Sequence, residues 1–320
     1  MITRIDVQAA EARISGRIRR TPLIEADPAA FAPAGAEPAR RMWLKLEQTQ
    51  HTGSFKARGA FNRLLSAADE GPLPRAGVVA ASGGNAGLAV AYAAARLGVP
   101  AEVYVPETAP QIKVDRLRAL GAAVVQVGDR YAEAAEAAVD RSTETGALFC
   151  HPYDQPEICA GQGTLGLELL EQAGGQIDAV LLAVGGGGLM AGVAAAVEGH
   201  AAVVGAEPET APTLHEALRA GTPVDVPVSG VAADSLGASR VGGIALAVAA
   251  RTGVRDVLVP DSAIIAARKL LWDEYRLVVE HGTAAAVAAL RTGAYRPAPA
   301  ARIAVVLCGA NTDPSDLAAP

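Results

Sequence analysis

The sequence predicts a doubly wound α/β protein with parallel sheets covered by helices, and three observations carry that expectation. Short apolar runs alternate with helical stretches over most of the chain, and the runs are too uniformly apolar to face water on one side. Glycine-rich turns stand where several runs end and helices begin. The 320 residues, 51% hydrophobic and 19% charged, can bury a large core in two domains or lobes.

Element by element, a helix is expected over residues 6–18, and residues 26–40, rich in Ala and Pro, read as a loop. A strand over 42–47 leads into Thr52-Gly53-Ser54-Phe55-Lys56. There Gly53 and Ser54 can bend the chain and cap a helix over 56–65. From 77 to 150 the alternation is regular: strands at 77–81, 101–105, 123–127 and 148–150, with helices at 88–97, 111–120 and 132–143. Residues 77–150 are thus expected as a smaller domain, with 1–76 and 151–320 forming the larger one. The second half gives a helix at 163–172, a strand at 179–184, a helix at 189–197 and a strand at 202–206. Helices at 261–275 and 283–290 and a last strand at 302–307 complete the chain, without a solenoid repeat or low-complexity tail.

A net charge of -6 argues against nucleic acid or an anionic membrane surface as partner. The N-terminus lacks the apolar core of a signal peptide and no apolar run is long enough to span a bilayer, so a cytoplasmic protein is expected. Cys150, Cys159 and Cys308 are odd in number and lack paired metal-site spacing, which argues against disulfides or structural zinc.

Four stretches carry chemistry. Lys56 falls in the first turn of a helix, where the dipole and partial burial lower its pKa and leave an amine able to attack a carbonyl. Ser82-Gly83-Gly84-Asn85-Ala86-Gly87 ends a strand and opens a helix, so its free N–H groups suit a carboxylate. Gly185-Gly186-Gly187-Gly188-Leu189 repeats that arrangement in the form of a phosphate cradle. Cys308 ends the last strand, a usual place for ligand contacts. Each has a plain structural reading: a solvent-facing lysine, an ordinary capped helix, a glycine turn, a small buried hydrophobe. Gly186, Gly188 and Ala191 also satisfy a loose dinucleotide fingerprint, with Glu207 at the ribose-binding distance. A nicotinamide-dependent oxidoreductase is therefore the alternative, although that fingerprint normally belongs to a domain's first strand.

Taken in this order, the four stretches resemble the fold-type II pyridoxal-phosphate enzymes, tryptophan synthase β-like in architecture, and most closely the serine and threonine dehydratases. The resemblance extends through Arg20-Thr21-Pro22-Leu23, Lys45-Leu46-Glu47-Gln48, Gly53 to Ala60, His151-Pro152, Ala160-Gly161-Gln162-Gly163-Thr164, Glu207-Pro208 and Cys308-Gly309-Ala310-Asn311. It implies that Lys56 holds pyridoxal 5'-phosphate as a Schiff base, that Phe55 packs near the ring and that Asn85 bonds the ring hydroxyl. Gly185, Gly186, Gly187, Gly188 and Leu189 would bind the phosphate, and Cys308 would face the pyridine nitrogen. Ser82, Gly83, Gly84, Asn85, Ala86 and Gly87 would take the carboxylate of an amino-acid substrate. The freed Lys56 amine would remove the Cα proton, the β-hydroxyl would leave, and a 2-oxo acid and ammonia would result. A homodimer is implied as well.

Departures from the family pattern bear on the substrate. Gly-Asn-Ala-Gly stands where biosynthetic threonine dehydratases have His-Ala after Asn, His281-Gly282-Thr283 replaces a Pro-Ala-Gly run, and residues 234–238 differ. Serine, threonine or a bulkier phenylserine would then fit, with Tyr153 and His281 as candidate walls. Gly83 stands where serine racemases of the family carry a serine. Members with a divalent-metal site pair a glutamate with an aspartate where this chain has Thr213, leaving Glu207 and the Ala211 carbonyl for a potassium ion. A non-catalytic pyridoxal-phosphate sensor is the third reading.

Overall fold

The computed structural model describes residues 1–317; the last three residues of the expected larger domain lie outside them. Helix α1 (Arg4–Ile14) leads to strand β1 (Leu23–Ala26), the single turn α2 (Pro28–Phe31), strand β2 (Arg41–Lys45) and the long helix α3 (Lys56–Glu70). The expected loop before β2 therefore holds a helical turn, capped by the Asp27 carboxylate accepting from Ala29 N. Next come β3 (Val78–Ala81), α4 (Asn85–Leu97), β4 (Ala101–Val105), α5 (Gln111–Ala119), β5 (Ala123–Gln126), α6 (Tyr131–Thr145) and β6 (Leu148–Cys150), close to expectation. The second half contains α7 (Pro156–Gln172), β7 (Ala179–Ala183), α8 (Gly188–Val197), β8 (Ala202–Pro208), α9 (Thr213–Ala220), α10 (Gly243–Thr252) and β9 (Arg255–Val259). Helices α11 (Asp261–Tyr275) and α12 (His281–Arg291) and strand β10 (Arg302–Val306) close the fold.

Two sheets result. The larger has the order β1-β2-β10-β7-β8-β9, parallel throughout except that β1 runs antiparallel to β2 at the edge. The smaller is wholly parallel, in the order β5-β4-β3-β6. The core of the smaller sheet takes in Ile14 from α1 and Ala60, Phe61 and Leu64 from α3. Burying Phe61 and Leu64 contributes about 1.5–3 kcal/mol each, which fixes α3, and with it Lys56, against the smaller sheet. No helix among the described residues is long and apolar enough to cross a membrane.

Besides β1 and α2, three elements were not expected, and one helix begins early. Helix α7 starts at Pro156 rather than 163, because Gly161 and Gly163 are helical and serve close packing. A Cβ on Gly161 would lie 2.6 Å from Arg58 O of α3, and one on Gly163 2.5 Å from Gly192 O of α8. Strand β9 is an edge strand opening on Arg255 and Asp256, which leaves only a three-residue apolar run to betray it. Helices α9 and α10, between Pro212 and Gly253, are the other two.

Candidate active site

The parallel pairing of β2 with β10 brings the start of α3 to the end of the last strand. Phe55 N donates to Cys308 O at 3.0 Å, Ala310 N donates to Gly53 O at 3.0 Å, and Ser54 bridges Gly309. Lys56 is the first residue of α3; its Nζ donates to Pro152 O at 2.6 Å and lies 5.0 Å from the centre of the Phe55 ring. Desolvation pushes the Lys56 amine down to about 8, with the Glu280 carboxylate among the groups pulling it back. Ser54, expected as a cap, makes no such bond, and its hydroxyl is buried without a partner.

Behind Lys56 the same helix is clamped by a buried ionic frame. The Arg58 guanidinium donates to both Glu47 oxygens at 2.8 and 2.7 Å and to Glu168 at 2.8 Å. Lys45 Nζ donates to Glu168 at 2.5 Å and to Thr21 O and Gln172 at 2.8 Å. Burial pushes Glu168 up, but Arg58 and Lys45 outweigh it and hold the carboxyl below its usual range.

Across the cleft, Gly84 and Asn85 open α4. Ser82 Oγ accepts from Gly84 N at 3.2 Å, so its hydroxyl shapes the turn, and the first N–H groups of α4 remain free for an anion. Gly87 is required here, since a Cβ would lie 1.9 Å from Ser82 O. Asn85 Nδ2 donates to Glu280 at 2.9 and 3.1 Å, and its Oδ1 accepts from Asn311 Nδ2 at 2.6 Å. A primary amide has two N–H groups, so the carboxylate can take one and leave the other for a ligand. Glu280, buried at the N-terminus of α12 and pushed up by desolvation, and its partner Asn311 were missed as a pair; they meet Asn85 from far along the chain.

The tetraglycine opens α8, and its last three glycines leave no room for a side chain. A Cβ on Gly186 would lie 2.2 Å from Cγ of the Tyr153 ring, and one on Gly188 2.6 Å from Tyr153 O. Gly187 adopts φ of +81°, a left-handed conformation that favours glycine. Leu189 follows in the first turn of α8, buried. Tyr153, expected as a substrate wall, roofs this loop, with its hydroxyl donating to Arg240 O at 3.1 Å. His281 is half-buried, and desolvation, with Arg268, lowers its imidazole against the pull of Asp316 and Asp261. Cys308 is buried, its Sγ 3.1 Å from Thr283 Oγ1, and burial pushes its thiol up to about 12.

A family model described as pyridoxal-phosphate dependent enzyme matches residues 14–309. The chain belongs to this family. It is 40% identical over 314 residues to a phenylserine dehydratase of Ralstonia pickettii, covering 96% of this chain and 92% of that protein. Its structure resembles the T.th. threonine deaminase, with a TM-score of 0.86 and 37% identity over 98% of this chain and 99% of that one. It also resembles maize serine racemase, with a TM-score of 0.89 and 30% identity over 98% and 95% of the two chains. The family uses pyridoxal phosphate, and the fold is the expected two-sheet α/β architecture.

The residues of this pyridoxal-phosphate-dependent enzyme fit that cofactor. Lys56 supplies a desolvated amine, the glycine loop a bare backbone cradle at a helix N-terminus, and Cys308 an uncharged group at the end of β10. Two residues next to these groups have polar atoms left without partners: Ser54 Oγ, two residues before Lys56, and both ends of the Gln162 amide, beside Gly59 and Gly188. The nicotinamide reading falls with the family assignment, and Glu207 is in any case used locally. Its carboxylate accepts from Leu214 N at 2.7 Å, His215 N at 2.9 Å and Thr213 Oγ1 at 2.8 Å, capping α9, while burial pushes it up to about 7. Ala211 O, expected beside it as a potassium ligand, accepts from Thr213 N at 3.1 Å. The two groups expected to hold a potassium ion are thus both hydrogen-bonded to the start of α9.

Proposed function

We propose that the enzyme removes water from a β-hydroxy amino acid and releases a 2-oxo acid and ammonia. The observation that carries this reading is the Lys56 amine, lowered to about 8 and within the field of Glu280, the carboxylate that holds Asn85 at the start of α4. When bound, pyridoxal phosphate supplies the electron sink that labilises the substrate Cα proton. The chain supplies the rest. The amides opening α4 hold the substrate carboxylate, Lys56 takes the proton from Cα, and Asn85, steadied by Glu280 and Asn311, orients the ring hydroxyl. The substrate hydroxyl leaves as water, and a second water then releases ammonia from the product. The likeness to a phenylserine dehydratase supports an aromatic β-substituent beside the smaller ones of serine and threonine.

The chain also suits elimination over racemisation. A Cβ at Gly83 would meet nothing closer than Val105 Cγ1 at 3.5 Å, so a side chain has room there, yet the sequence leaves the position without an acid or base. L-threo-phenylserine, L-threonine and L-serine should each be offered to the purified protein, with 2-oxo acid and D-amino acid measured. Rapid oxo-acid formation with little D-serine is expected. Cofactor uptake without turnover of any of the three would favour a sensor, and abundant D-serine would favour a racemase.

Residues 77–150 are assigned to a smaller domain closing on the substrate. They hold all four strands of the smaller sheet, and Lys113 of α5 pairs with Asp234 of the larger part. A cytoplasmic homodimer is the expected assembly, to be checked by sedimentation.

A further inference from the structure

Gln162 lies in α7, fully buried, and neither end of its side-chain amide has a hydrogen-bond partner. Its neighbours on the α3–α7 contact are all paired: Arg58 with Glu47, Glu168 and Thr164, and Asn62 with Glu157 O and Arg13. The orphaned amide is therefore a local feature. An unpaired buried amide is unfavourable, and such groups in native proteins call for an explanation.

Two glycines frame it. A Cβ on Gly59 would lie 3.2 Å from Gln162 Cγ and 3.3 Å from Nε2, and one on Gly188 would lie 2.9 Å from Oε1. Gly59 is one turn along α3 from Lys56, and Gly188 opens α8 at the end of the glycine loop. The amide thus spans the gap between the helix that carries the amine and the helix end whose dipole favours an anion. It can turn end for end, offering a donor or an acceptor as needed.

We propose that Gln162 is a positioning residue for the cofactor phosphate: folding leaves its amide unpaired, and the phosphate, with the water it brings, supplies the missing partners at the start of α8. The proposal rests on the cofactor assignment above. It explains why a polar side chain occupies a site where an apolar one would suit the cofactor-free fold better. It also explains why the residues on either side of the amide are glycines.

The test compares wild type with Gln162→Met, which keeps the length and removes both polar ends. Cofactor-free protein is titrated with pyridoxal phosphate and, separately, with pyridoxal, which can react with Lys56 but has no phosphate. Affinity is read from the absorbance of the bound ligand, and the melting point of each cofactor-free protein is recorded. The variant should melt at or above the wild-type temperature, bind pyridoxal with unchanged affinity, and bind pyridoxal phosphate about tenfold more weakly, near 1.4 kcal/mol. Equal affinities for pyridoxal phosphate, or equal losses for both ligands, would overturn the proposal. If Gln162→Met does not fold, Gln162→Asn, one methylene shorter, should show the same selective loss. A wild type that takes up pyridoxal but not pyridoxal phosphate would overturn the phosphate-site assignment and this proposal with it.

Discussion

The two sides of α3 treat polar groups in opposite ways. Behind the helix, Lys45, Glu47, Arg58 and Glu168 are buried charges, and each has an oppositely charged partner. Towards the last strand, Ser54 Oγ and Thr52 Oγ1 are buried and have none, and where the α3–α7 contact meets the glycine loop the Gln162 amide has none either. The difference separates frame from site. Groups satisfied by folding fix the backbone, whereas groups left unsatisfied mark where a ligand completes the structure.

The largest effect that contrast predicts is at Lys56. Lys56→Ala should abolish covalent cofactor attachment and lower turnover by more than about 10⁴-fold. Lys45 cannot stand in for it, being buried against Glu168 on the far side of α3. Retention of a borohydride-reducible bond to the cofactor in this variant would break the division into frame and site.

Next comes the frame. Arg58→Met strands Glu47 and Glu168 without their guanidinium and should destabilise the loaded protein by about 3–5 kcal/mol in denaturant unfolding. Adding Glu47→Gln should recover part of that loss, because the uncompensated charge is then removed. A loss below about 1 kcal/mol for Arg58→Met would place this network among weak surface pairs instead.

Most of this was legible in the sequence where the signal was local. Lys56 in a first turn, the small-residue turn at 82–87, the tetraglycine and Cys308 each announce themselves within a few residues, and contacts through Pro152 and Tyr153 and through Glu280 and Gly309 link them in the structure. Glu280 and Asn311 meet Asn85 across 195 and 226 positions, and no local pattern encodes that. A carboxylate directly before a helical stretch was the only trace Glu280 left. Gln162 was hidden by its glycine neighbours, which read as a loop although they pack a helix. Tyr153 marks another limit, because an aromatic after His151-Pro152 says nothing of which loop it covers. Its contact with Gly186 decides that.

A smaller effect concerns pH. Because burial lowers the folded pKa of Lys56 to about 8 from its ordinary 10.5, the unfolded chain binds more protons between those values. Cofactor-free protein should therefore gain stability as pH rises through that window, the penalty being fully present below 8. Covalent loading needs the neutral amine, so its rate should rise about tenfold between pH 7 and 9 and then level off. A rate still climbing steeply above pH 10 would mean that Lys56 is solvated like a surface lysine.

The smallest expected effect is at Cys308, and it tests whether the uncharged end of β10 matters. Burial keeps the thiol protonated, and Thr283 Oγ1, which also accepts from Gly309 N at 3.1 Å, holds it in place. A neutral weak donor facing the ring nitrogen should leave that nitrogen largely unprotonated, so that loss of the β-hydroxyl competes well with return of the proton to Cα. Cys308→Ser preserves a neutral donor on the same partner and should keep elimination within about tenfold, near 1.4 kcal/mol of barrier. Cys308→Asp introduces a carboxylate in the field of Glu280, which already acts on the thiol. Where that carboxylate ionises beside the ring, it should protonate the nitrogen and raise Cα hydrogen exchange relative to oxo-acid formation. The ratio of the two, measured in deuterated water for each variant, decides the matter. If Cys308→Asp still holds the cofactor and the ratio does not move, Cys308 does not set the charge of the ring, and the neutrality of this strand end is only a property of its packing.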